Sequence, residues 1–143
     1  MTCHAISKLF KNMNRVLTII LLFASGELIA AENLMRDDYH GVWKSNYAAV
    51  KNEKQILKIS LDSGSVFERH FDSNNSQVLV TDKYELIDDL IVLIFNSPDN
   101  VFGYKLVLSG WKSKKSKTLY GSMFMYRNGV QFNMLPVSFV PAN

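Results

Sequence analysis

Residues 119–139 read LYGSMFMYRNGVQFNMLPVSF, and the alternation of their side chains sets the fold. Leu119, Met123 and Met125 fall on one face and Tyr120, Phe124 and Tyr126 on the other. That two-residue period belongs to an extended chain. Between the arms stands Arg127-Asn128-Gly129, and Asn and Gly accept the positive φ that a tight hairpin turn requires. Phe132 and Met134 sit on the returning arm. The stretch therefore predicts two long antiparallel strands.

Working outward, the same period predicts strands over 40–50, 54–61, 65–71, 76–85, 89–96 and 101–111, ahead of 117–126 and 129–139. Turn-forming clusters separate them, such as Asp62-Ser63-Gly64 and Ser97-Pro98-Asp99-Asn100. Leu57, Ile59 and Leu61 oppose Lys58 and Ser60, while Phe67 and Phe71 oppose Glu68 and His70, as in a sheet with one wet face. Leu90 to Phe95 is apolar at every position, which fits a strand covered on both faces or a buried helical turn, and its β-branched content favours the strand. Residues 32–39 form a polar lead with a weak helical tendency. Eight short strands with close turns make a mainly-β, single antiparallel meander.

The chain before residue 32 reads differently. Lys8, Lys11 and Arg15 precede an apolar run, Val16 to Ala24, that is too short to span a bilayer, and small residues follow at Ala30 and Ala31. Basic stretch, short apolar run and small-residue exit predict a signal peptide over 1–31, with Met13 as an alternative start, followed by one domain over 32–143. Three of the 16 basic and one of the 13 acidic residues lie in that leader, so its removal lowers the net charge from +3 to +1. The single cysteine, Cys3, goes with it, and the remaining domain must hold together by apolar packing. The expected location is periplasmic or secreted, with no stable membrane anchor after cleavage.

"HGVWKS", residues 40–45, places Gly41-x-Trp43 on the first strand of this eight-strand run. In that feature the chain resembles the calycin-type small β-barrels, the lipocalins and avidins. The resemblance implies an eight-stranded barrel or half-barrel whose floor is closed by Trp43. It carries over no ligand-binding residues.

Reactive chemistry is sparse. His40 and His70 lie on separate strands without metal-ligand spacing, so no metal or cofactor is expected. Asp37-Asp38 and Asp88-Asp89 sit at element ends, where acids favour turns. No serine stands in a G-x-S-x-G setting. Lys112, Lys114, Lys115 and Lys117 form a basic run that reads as a solvated hairpin tip, with contact to anionic lipid or an acidic partner surface as the alternative; near-neutral net charge without a second basic cluster argues against nucleic acid. The expected activity is binding and not catalysis. One reading holds a small apolar ligand against Trp43, Tyr104, Trp111, Met123, Met125 and Phe132, since methionine and aromatic linings adapt to apolar guests. The other is a periplasmic protein-binding module, such as an enzyme inhibitor, working through loops at one barrel end.

Overall fold

The computed structural model of the chain describes residues 32–46, 53–71 and 74–143. The expected signal peptide, positions 47–50 of the expected first strand, and Asp72-Ser73 lie outside the described residues. Ten strands are described: β1 (Glu32–Asn33), β2 (Gly41–Ser45), β3 (Lys54–Ile59), β4 (Ser65–His70), β5 (Ser76–Thr81), β6 (Tyr84–Ile87), β7 (Leu90–Asn96), β8 (Phe102–Lys112), β9 (Lys117–Arg127) and β10 (Val130–Pro141). A 3-10 turn, Arg36–Tyr39, lies between β1 and β2. The expected hairpin is present: Asn128 and Gly129 have φ of 49° and 78°. One residue, Phe132, bulges out of the β9–β10 register between Gln131 and Asn133.

The strands form one antiparallel sheet in the order β5-β4-β3-β2-β10-β9-β8-β7-β6, nearly closed into a barrel. β2 pairs with β10, joining the first long strand to the last through Phe139↔Ser45, Val140↔Lys44 and Pro141↔Trp43. Following the antiparallel pairings in both directions from β2 gives β5 and β6 the same direction. They are one strand, bent at Asp82-Lys83, whose first half pairs with β4 and whose second half pairs with β7. At the bend the Lys83 amide donates to Thr81 Oγ1 at 3.1 Å, and such a local side-chain acceptor competes with the ladder. The ten strands thus follow from the eight expected ones by this break in 76–85 and by the short β1.

Alternate residues point inward and meet. Leu57, Phe67, Leu79, Leu93, Phe95, Leu106, Met123 and Phe139 are buried. The Phe67 ring lies 5.6 Å from that of Phe95 and 6.3 Å from that of Tyr104, between centroids. On β7, Ile91, Leu93 and Phe95 take the interior and Val92 is also covered, but Ile94 is exposed. The strand is therefore covered on both faces only in part.

The lead closes one end, where the 60–64, 88–89 and 113–116 turns gather. Leu34 donates its amide to the Gly110 carbonyl at 3.0 Å, and a Cβ on Gly110 would overlap the Leu34 side chain. Buried Tyr39 donates its hydroxyl to the Asp89 carbonyl at 2.5 Å. Trp43, 2% exposed, donates Nε1 to the Tyr39 carbonyl at 2.9 Å. Asp38 accepts from Lys112 at 2.7 Å and pairs with Lys117 at 3.0 Å. The Lys112 hydrogen bond leads the effects that hold the Asp38 carboxyl far below the usual carboxylate range.

This corrects the reading of the lysine run as a purely solvated tip. Lys114 and Lys115 are exposed, but Lys112 and Lys117 anchor the lead. Their partner stands more than seventy residues earlier, beyond the reach of local pattern.

Truncating Trp43 to Ala should cost about 3–5 kcal/mol, the range for large buried side chains, and lower the melting temperature by more than 10 °C. An unchanged thermal melt would show that the tryptophan does not secure this end.

Candidate functional site

The opposite, hairpin end of the barrel carries the 97–101 and 128–129 turns together with the end of β4 and the start of β5, and there the interior turns polar. Gln55, Arg69 and Gln77 stand in register on β3, β4 and β5 and face inward, in phase with Leu57, Phe67 and Leu79. Arg69 meets Glu53 in a two-point contact, Nε to Oε1 at 2.6 Å and Nη2 to Oε2 at 3.0 Å. The geometry matches the planar guanidinium to the carboxylate. Gln55 donates Nε2 to the same Glu53 Oε1 at 2.9 Å, while its amide donates to Ser45 Oγ at 3.1 Å. The guanidinium carbon lies 4.9 Å from the Phe71 ring centroid and 4.8 Å from that of Tyr104. Tyr104 in turn donates its hydroxyl to Gln77 Oε1 at 3.1 Å.

Glu53 and Arg69 are both buried. Burial drives the Glu53 carboxyl upward, yet the bonds from Arg69 and Gln55 outweigh it and hold the group below its ordinary value. The arrangement is a latch: each charge is tolerated inside because the other is present.

Of the six residues expected to hold an apolar ligand, Trp43, Tyr104, Met123 and Met125 belong to or pack against the interior core. They are spread along the barrel from the lead end to the hairpin end. Trp111 pairs with Asn33 on the lead and lies out of phase with the inward residues of β8. Phe132 is the bulged residue, 55% exposed. His40 lies at the lead end and His70 at the hairpin end, where its Nε2 is 3.4 Å from Glu68. The acidic pairs serve the lead: Asp38 binds the lysines, Asp37 meets Arg36 at 3.3 Å, and Asp89 accepts from Tyr39 and Asn33. Among the described residues no group of three or more His, Cys, Asp or Glu could hold a metal ion.

Sequence reasoning passed over Glu53, Gln55, Arg69 and Gln77. The available signal was phase: Arg69 falls on the same face as Phe67 and Phe71, and Gln55 on that of Leu57 and Ile59. A charged residue on the core face of a strand calls for a buried partner. Glu53, just before β3, had no such phase to reveal it.

The fold and site define a small antiparallel β-barrel protein with one end plugged by its own lead and the other latched by an ion pair. The chain matches no protein-family model, no curated protein and no solved structure with which it was compared.

Replacing Glu53 with Gln should cost about 3 kcal/mol at neutral pH, because it leaves Arg69 buried without its counter-charge. Since the folded-state value of Glu53 is depressed, its stabilisation is complete above the unfolded value near 4.5 and fades as pH falls below it. Thermal melts from pH 7 to pH 3 should therefore converge for wild type and Glu53→Gln as the pH drops. Parallel curves would contradict the latch.

Proposed function

We propose that the protein is an exported, non-catalytic binding protein that engages a protein partner through its β9–β10 hairpin. The observation that carries this reading is the hairpin's exposed apolar surface. Val130, Phe132 and Met134 are 69%, 55% and 53% exposed, and they sit together on the first half of β10. Val130 lies opposite Arg127 and Met134 opposite Phe124, so the hairpin presents exposed apolar side chains on both of its faces, which supports its use as an interaction element. The packed Phe67, Phe95 and Tyr104 rings and the Arg69 latch support placing the contact outside the barrel. The leader before residue 32 supports a periplasmic or secreted site of action.

A second reading, an apolar ligand within the barrel, is favoured by the inward placement of Tyr104, Met123 and Met125. It requires core side chains to move aside for the guest.

The test compares wild type with a Phe132→Ser, Met134→Ser variant as bait in extract from the compartment of export. Both side chains are exposed, so the variant should melt within about 0.5 kcal/mol of wild type. A stoichiometric protein captured by wild type and lost by the variant is the expected result. Equal capture by both would remove the hairpin from the interface.

A further inference from the structure

We infer that the outer wall at the hairpin end carries a saccharide-binding groove floored by Gly103. The groove shares Tyr126 and Gly129 with the β9–β10 hairpin, but the inference does not rest on the protein contact proposed there. The outward residues of β7, β8 and β9 fall in cross-strand rows. One row sets Asn96 opposite Gly103 and Gly103 opposite Tyr126; the next sets Ile94 opposite Lys105 and Lys105 opposite Phe124. Neighbouring strands lie about 4.8 Å apart, so the stems of Asn96 and Tyr126 stand about 10 Å apart across a residue without a side chain. The result is a cleft of about 400 Å³ whose lining includes Ile94, Asn96, Asn100, Gly103, Lys105 and Tyr126. A Cβ on Gly103 would stand in this gap, 3.0 Å from Asn96 Oδ1 and 3.7 Å from the Tyr126 Cβ.

The chemistry of the walls selects the guest. The side chains of Asn96, Asn100, Lys105 and Tyr126 make no hydrogen bond or ion pair with another described residue. Two amides offer donors and acceptors together, Lys105 adds donors, and Tyr126 offers an aromatic ring. A sugar ring matches that set, with hydroxyls around its rim and a C–H face to lay against the aromatic. An apolar guest would strip water from both amides and the ammonium without replacing their hydrogen bonds. A lone phosphate would find a single cation, Lys105, among the lining residues.

The full chain's exported form can be titrated calorimetrically with three probes: hexamers of N-acetylglucosamine, of glucose and of galacturonic acid. At least one should bind with a dissociation constant of 1 mM or tighter. Gly103→Ala, which fills the gap, and Asn96→Ala, which removes an exposed amide, should each weaken that binding tenfold or more. Gly103 has no positive φ, so its alanine variant should melt as wild type does; if it does not, Asn96→Ala decides alone. Absence of binding by all three probes, or binding that survives the folded variants, overturns the assignment.

Discussion

An antiparallel sheet that returns to its own first strand closes only over an even number of segments, and that constraint governs this molecule. β2 pairs antiparallel with β10, so the chain between them must reverse an odd number of times. It does so because β5 runs on into β6 with a bend at Asp82-Lys83 in place of a reversal. Closure removes most of the unpaired strand edge that would otherwise invite aggregation. It also turns one face of every strand inward, where Leu57, Phe67, Leu93, Leu106, Met123 and Phe139 can bury one another.

A nearly closed wall leaves two ends to be managed, and the chain manages them by different means. At the lead end, residues 32–39 fold across the opening and are tied to three separate connections: Arg36 to Asp62 at 3.5 Å, Tyr39 to Asp89, and Asp38 to Lys112 and Lys117. Apolar contact does the rest through Leu34, Tyr39 and Trp43. At the hairpin end the seal is the Glu53–Arg69 pair between two aromatic rings, an arrangement that fixes position more than it adds stability.

The fold was largely legible in the sequence because period-two alternation is a local property, and every expected strand has a counterpart. The break inside 76–85 was not, since it depends on a Thr81 hydroxyl that captures an amide two residues on. Long-range pairing was equally hidden. Nothing local to Lys112 announces Asp38, and nothing local to Glu53 announces Arg69. The expected ligand-binding set held both Tyr104 and Trp111, yet they stand seven positions apart on one strand, so period-two phase alone would have kept inward Tyr104 and excluded outward Trp111. Phe132 escaped that logic because a bulge shifts the register at its position.

Core side chains meet across the interior and both ends are secured, which is why we propose the outer surface of the barrel at its hairpin end as the place of recognition. Native mass spectrometry of the protein purified from its own compartment tests this most directly. The account predicts a species at the mass of the mature polypeptide, alone or joined to a protein, with no small apolar molecule retained. A one-to-one complex with such a molecule, released only on denaturation, would contradict it.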